Sequence, residues 1–413
     1  MSSEKRYTIL RTLVTPLLAF GVIGLYALIA LNLKIFNPIS QVMKDYSITD
    51  FYYQVQGLSA DKDTSRIVTI VDMTDIYSRH ELAMVLQEIK NQQPKTIGVD
   101  MVFEGLKEDT EGDSLIAAVA AGDTTTVFGY KLTDDSFYDN QYHEEIHSFF
   151  ADSLPHLKEG FVNMPRDIYG GLKRKINLGS TVNGEMRPSI VKQVADIYAD
   201  QEVVPLADRM VKINFAPLEF RVIPPDSVAY YGEYIADHIV FFGAMRDEID
   251  IHYTPQGKLP GVELLAYSVE TLIKNMEIRE TPWWMTAIIS YLIVMVIFCF
   301  FRHYDNFANN RKNPALRISM KTTLAKGIMR FCFMAILMYI GFLLFGLYNV
   351  SINFVWALSA IAVNVTANDL YEVLYNSFNK NTKSNEENTI PAAPVADYTE
   401  CDGSGSDQGS DSQ

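Results

Sequence analysis

The chain has 413 residues, a formal net charge of -15 and 48% hydrophobic residues. Most of the acidity lies in one long mixed block and in the tail, a surface unsuited to nucleic acid or an anionic lipid face. The 3 cysteines, Cys299, Cys332 and Cys401, all fall outside that block. Its roughly 250 residues are enough to bury a core without disulfides.

An apolar run from Leu10 to Leu33 opens the chain behind a short segment, 1–9, that carries Lys5 and Arg6. At about 1.5 Å of rise per residue, roughly 20 apolar residues cross a hydrocarbon core of about 30 Å, so 10–33 predicts a transmembrane helix. It exceeds a signal-peptide core in length and no clear A-x-A site follows it, so an uncleaved anchor is expected.

The block 34–281 alternates strand and helix patterns. Ile67–Val71 is a β-branched run closing on Asp72, Arg79–Ile89 has helical spacing, and Thr96–Val99 is a strand closing on Asp100. A helix over Ser114–Ala121 and a strand over Thr125–Tyr130 follow, and the polar stretch Asp134–Leu157 predicts one exposed helix. Strands are then expected at Phe161–Asn163, Lys173–Leu178, Val211–Phe215 and His238–Phe242, with helices at Ser189–Ala199 and Gly261–Asn275. This alternation predicts an α/β domain with a largely parallel sheet flanked by helices.

Three further apolar runs predict transmembrane helices at 283–301, 328–347 and 352–370, the last carrying Asn364, Asn368 and Asp369. The segment 302–327 between the first two holds Arg302, Arg311, Lys312, Arg317, Lys321 and Lys326, whereas Tyr348–Asn353 has no Lys or Arg. Basic loops face the cytoplasm, which puts both termini and 302–327 inside and 34–281 outside. Thr281-Pro282 read as the start of the second span, so the link from the preceding helix is short. Gly341, Gly346, Ser359 and Ala360 offer small surfaces for helix packing. From 379 to 413 the acidic, Ser- and Gly-rich tail predicts disorder.

Four segments carry a resemblance: IVTIVDMTD (67–75), TIGVDMVFE (96–104), FVNMPRDIYGGLKRKI (161–176) and HIVFFGAMRDEIDIHYTPQGKLPGVELLAYSVETLI (238–273). In this order they resemble the second CHASE family of bacterial extracellular sensory domains, those associated with cyclases and histidine kinases. The resemblance implies an N-terminal span, an extracytoplasmic sensor and three more spans before a cytoplasmic output domain. Two departures stand out: no tryptophan-rich stretch precedes Arg79, and no kinase or cyclase sequence follows the last span.

The candidate ligand-binding residues are Asp72, Arg79, Asp100, Asp167, Arg174, Asp250, Thr254, Pro255, Gly261 and Glu263. Asp72 and Asp100 close strands, where ligands of open α/β sheets lie. Asp250, Thr254 and Glu263 belong to a loop entering a helix, while Arg79, Arg174 and Arg246 could pair with the carboxylates as ligand clamps or as structure. Turn and cap roles would account for these carboxylates as well.

His143-Glu144-Glu145-Ile146-His147 matches H-E-x-x-H, which on a helix would place two histidines on one face for zinc. The polar setting, Pro155 and the lack of a convincing third ligand argue against that chemistry, so no metal, cofactor or catalytic residue is expected. The expectation is a bacterial inner-membrane, multi-pass sensory protein, not an enzyme, without its own output domain. It would take an unknown small-molecule or envelope ligand outside and relay it to a membrane or cytoplasmic signalling partner, and a homo-oligomer is compatible with this expectation. The alternatives are a structural or assembly subunit of an envelope complex and, from another class, an external hydrolase.

Overall fold

The computed structural model describes residues 3–32, 48–59, 62–122, 124–133, 142–165 and 171–387. Its helices are α1 (Ser3–Asn32), α2 (Ile48–Ser59), α3 (Arg79–Asn91), α4 (Thr110–Ala121), α5 (Ile190–Ala199) and α6 (Gly261–Ile273), then α7 (Trp283–Asn309), α8 (Pro314–Lys321), α9 (Thr323–Tyr348), α10 (Val355–Ala362) and α11 (Asn364–Glu387). Five strands form a parallel series in the order β10 (Leu218–Ile223), β1 (Asp63–Asp72), β11 (Ile239–Gly243), β2 (Thr96–Val99) and β3 (Thr126–Thr133). Two more join β3: β5 (Lys158–Phe161) in parallel and β4 (Glu144–Ile146) antiparallel.

The sheet is covered on both faces, which is why its strands read as unbroken apolar runs. Alternation sorts the side chains. Val71, Val99, Val240 and Phe242 point to one face, where Leu82, Leu86 and Ile89 of α3 and Ile116 of α4 pack on them. Val68, Ile70, Ile239 and Phe241 point to the other, against Ile190 and Val194 of α5 and Val262, Leu265 and Val269 of α6. Gly98 is required by this packing, because a Cβ there would lie 2.6 Å from the Phe241 ring and 3.2 Å from Val194. Serine caps start two of the helices: Ser78 accepts from the Glu81 amide before α3, and Ser189 from the Lys192 amide before α5.

The expected helix within Asp134–Leu157 is not there. Residues 142–157 instead hold β4 and one short 3-10 turn at Ala151–Ser153, while 134–141 lie outside the described residues. Pairing decides it, since Glu144, Glu145 and Ile146 align with Thr133, Leu132 and Lys131 and complete the edge of β3. The strand expected at Lys173–Leu178 is β6 (Lys175–Asn177), which pairs with β9 (Met210–Lys212) apart from the main sheet. Next to it the hairpin of β7 (Gly179–Val182) and β8 (Glu185–Pro188) had no signal in the sequence reading, and neither had α2 or β10.

Among the described residues three helices are long and apolar enough to cross a membrane: α1 over Tyr7–Tyr26, α7 and α9. The fourth expected span is not confirmed as a single helix. Residues 352–370 are divided between α10 and α11, which meet at Val363, and neither half combines the length and apolarity of a span. The polar residues Asn364 and Asn368 follow the joint, and Asn364 is buried, with its side chain accepting from the Asn368 amide. Ala357, Ala360 and Ile361 of α10 nevertheless pack with Ala19 of α1 and Val294 and Phe298 of α7. Helix α11 continues to Glu387, past the point where disorder is expected, and 388–413 lie outside the described residues.

The α/β domain and the helical bundle share a core. Phe345 of α9 is only 2% exposed and belongs to the cluster of Val68, Phe215 and Phe241. Its ring stands edge-on to Tyr52 at 4.9 Å and to Tyr53 at 5.6 Å, both on α2. Gly346 follows on the same helix, where a Cβ would lie 3.0 Å from the Tyr52 hydroxyl. Beyond α9, β15 (Val350–Ser351) pairs in parallel with β14 (Arg279–Glu280), and Asn214 donates to the Asn349 side chain at 3.0 Å and to the Met276 carbonyl at 3.1 Å.

Replacing a buried phenylalanine by alanine costs about 3–5 kcal/mol. Phe345→Ala should therefore lower the thermal unfolding temperature of the full-length protein in detergent well below that of Leu343→Ala, whose side chain is on the exposed face of the same helix. Equal losses from the two variants would show that the shared core does not hold the domain.

Candidate functional site

The carboxyl ends of β1, β11 and β2 meet at Asp72, Gly243 and Asp100. A cleft of about 1000 Å³ opens above them, lined by Asp100, Lys131, Arg246, Asp250 and His252 among polar residues and by Met101, Met164 and Leu265 among apolar ones. This is where an open α/β sheet places ligands, because the loops leaving neighbouring strands diverge there. The volume suits a small molecule.

Asp72 holds the rim together. Its carboxylate accepts from the Thr74 amide at 2.9 Å, from the Thr74 hydroxyl and from the Met245 amide at 3.1 Å, and Arg246 stands 3.5 Å away. Burial pushes its carboxyl up, but these donors and Arg246 outweigh it and hold the group below the usual carboxylate range. Arg246 also pairs with Asp75, so β1 and the segment after β11 are tied across the cleft mouth.

Asp100 is the unusual group. It is partly buried, and burial, followed by the negative charge of Asp250, pushes its carboxyl up to about 7 against the opposing pull of His252 and Lys131. Asp250 accepts from His252 at 3.2 Å and sits against the first turn of α6, where a Cβ on Gly261 would collide with its carboxylate. A glycine is thus needed at the start of this helix. Asp100, Asp250 and Gly261 are the sequence candidates that the fold brings into one cleft.

The other candidates serve elsewhere. Arg79 is buried, pairs with Asp113 and donates to the carbonyls of Gly105 at 2.8 Å and Glu104 at 3.0 Å. Arg174 makes a forked pair with Asp50 of α2 at 3.0 and 2.7 Å, fastening that helix to the domain. Thr254 donates to the Gly257 carbonyl at 2.9 Å and closes the hairpin of β12 (Ile251–Thr254) and β13 (Gly257–Pro260), with Pro255 in its turn. The sequence had read this hairpin as a loop. Glu263 is not in the cleft lining, and its carboxyl is raised by burial, then lowered by Lys62 and raised again by Glu219. Asp167 lies outside the described residues.

Lys131, His252 and Met101 were missed. Lys131 had a detectable signal, being the one charged residue in the run from Thr125 to Leu132, whereas His252 gains its position only from the hairpin. The H-E-x-x-H segment forms no helix, and its histidines share no helical face. His147 stacks on Tyr130 and lies 2.9 Å from Glu159, while the backbone amide of His143 donates to the Thr133 carbonyl. Among the described residues no group of three potential metal ligands converges.

A family model described as the CHASE2 domain matches residues 21–301, about two thirds of the chain, and the chain belongs to that family. Neither a curated protein nor a solved structure matches alongside it.

An acid whose folded pKa is raised binds its proton more tightly in the folded state, so its contribution to stability falls as pH rises from the unfolded pKa toward the folded one. For Asp100 that window runs from 3.8 to about 7. Asp100→Asn should match the parent protein near pH 4 and exceed its stability at pH 8, by at most about 4 kcal/mol at roughly 1.4 kcal/mol per pKa unit. Thermal midpoints measured at both pH values check this, and an unchanged difference would show that Asp100 titrates normally.

Proposed function

We propose that this CHASE2 protein is a membrane-anchored sensor that takes a small ligand in the cleft above Asp100 and passes its state to the membrane helices. The carrying observation is that one element serves both ends. Helix α6 begins at Gly261 in the cleft lining, and the chain leaves it through Met276 and Arg279, which bond to Asn214 and Asn349 at the joint with α9, before entering α7 at Trp283. A ligand that prefers one setting of the loop carrying Asp250 and His252 would bias the position of this helix. The two-fold attachment, through α7 and through the buried Phe345, gives the displacement two routes into the bundle.

The basic residues orient the protein in the membrane under this proposal. Lys5, Arg6 and Arg11 at one end of α1, and the basic stretch from Arg302 to Lys326, support a cytoplasmic position for both, with the α/β domain on the opposite side of a bacterial inner membrane. The chain between α9 and α10 lies against the α/β domain through β15, which agrees with that side. Residues 352–370 then return the chain inward as a fourth crossing, broken at Val363, whose backbone hydrogen bonds run on from Val363 to Ser359 and from Ala367 to Val363. The signal would pass to a membrane or cytoplasmic partner by contact with the bundle. No catalytic group, metal or cofactor is part of the reading.

The cleft combines Asp100 and Asp250 with Lys131, Lys173 and Arg246 and an apolar wall of Met101, Met164 and Leu265. It suits a small polar molecule bearing charge of both signs. Because Phe345 and β15 complete the domain, the ligand screen belongs on the full-length protein. A metabolite at 100 times its dissociation constant should stabilise it by about 2.7 kcal/mol. The gain should vanish in Asp250→Asn and Lys131→Ala while both variants remain folded. A complete screen with no saturable shift would favour an envelope assembly subunit instead.

Orientation is tested separately. Reporter fusions at Asp200 should read as external and fusions at Arg311 as cytoplasmic, and a cytoplasmic reading at Asp200 would overturn the sensor.

A further inference from the structure

A second cavity, of about 510 Å³, lies among α1, α7, α9 and α11 at the end of the bundle away from the α/β domain. Its depth follows from helix geometry. From Trp283, beside the domain, to Arg302 in the cavity wall, α7 rises about 28 Å, close to the thickness of a hydrocarbon core. Trp283 and Trp284 are exposed at the near end, where aromatic side chains mark a membrane interface. The cavity therefore stands at headgroup level on the far side.

Its walls carry five basic side chains against three acidic ones. Two of the bases have acidic partners: Arg11 pairs with Glu372 at 2.9 Å and Lys326 with Asp305 at 2.7 Å. Arg302 donates to the Thr8 carbonyl at 3.1 Å and to the Thr8 hydroxyl at 2.6 Å, and so keeps its positive charge. Lys321 has no acidic partner among the described residues. Arg330 faces the Phe301 ring at 5.6 Å, and its Nε is buried with no hydrogen-bond partner. Asp369, the third acid of the wall, is set against three remaining cations, and one of these, Arg330, has a buried guanidinium donor without an acceptor, so an anion from outside the chain would balance the excess positive charge.

From this arrangement we infer that the cavity is a binding site for a phosphate-bearing anion, held by Arg330, Arg302 and Lys321. The guanidinium groups match phosphate oxygens in a fork, and Lys321, on the exposed face of α8, closes the opening as a point charge. An anionic lipid headgroup and a soluble phosphate share this chemistry. The inference requires only that the bundle crosses a bilayer, and it stands whether or not the domain above senses a ligand.

The test uses full-length protein, stripped of lipid in detergent and reloaded with phosphatidylglycerol, phosphatidylcholine or inorganic phosphate. Native mass spectrometry counts what is retained. The expected result is one retained phosphatidylglycerol, favoured over phosphatidylcholine, with affinity about tenfold weaker in Arg330→Gln and in Lys321→Gln. Arg311→Gln, the same charge change outside the cavity, should retain it fully. Retention of inorganic phosphate with the same pattern of variants, and no lipid preference, would support the site with a soluble anion as its occupant. If Arg330→Gln does not fold, Lys321→Gln against Arg311→Gln still decides. Equal retention in those two variants, or no stoichiometric anion of either kind, overturns the inference.

Discussion

Strand β11 is buried on both faces between β1 and β2, although it comes last of the sheet strands in the chain, and the remaining architecture follows from that position. The slot is narrow. Gly243 ends the strand where a Cβ would press within 2.6 Å of Val262, so helix α6 can lie directly on the sheet. The chain leaving the strand must cross the mouth of the sheet to reach α6, and in doing so it carries Arg246, Asp250 and His252 over Asp100. Cleft and connection to the membrane are therefore consequences of one late insertion into a sheet centre.

The electrostatics of the cleft divide its two strand-end carboxylates. Asp72 is surrounded by donors and stays charged, so it behaves as part of the scaffold. Among the described residues Asp100 has no such donors, and burial with the facing charge of Asp250 pushes its carboxyl up to about 7. A group in that condition can offer either a hydrogen or a lone pair to a ligand without a large reorganisation. The two residues had looked alike in the sequence, since both close a β-branched strand.

Much of the domain was readable because a parallel sheet covered on both sides leaves runs such as Ile67–Val71 and His238–Phe242 that few other structures explain. Helix α3 showed through its spacing, and α5 and α6 were expected close to where they lie. What escaped depends on partners distant in the chain. β10 alternates Leu218, Phe220 and Val222 with Glu219 and Arg221, and becomes a strand because β1 is there to pair with it. Helix α2 is short and is fixed by Arg174, far along the chain, which pairs with its Asp50. The helix expected around His143 failed for the reverse reason: β3 had an edge left open, and pairing outweighed local helical preference. Of the site, Asp100 and Asp250 were legible by position, but their neighbours Lys131 and His252 come from a strand and a hairpin whose convergence no local pattern records.

The shared core has a consequence for how the protein is made. In sequence the α/β domain ends near Arg279, yet its core holds Phe345 and its last strand pairs with Val350 and Ser351. At a synthesis rate of about 5–20 residues per second, the ribosome needs roughly 4–14 s to travel between those points. For that interval the aromatic slot beside Tyr53 and Phe215 lacks Phe345, and only the arrival of the third apolar helix fills it. In the proposed topology, insertion of α9 into the membrane would thus complete the core of the domain outside it, and a chain stalled before α9 would display that slot as a mark of an unfinished molecule.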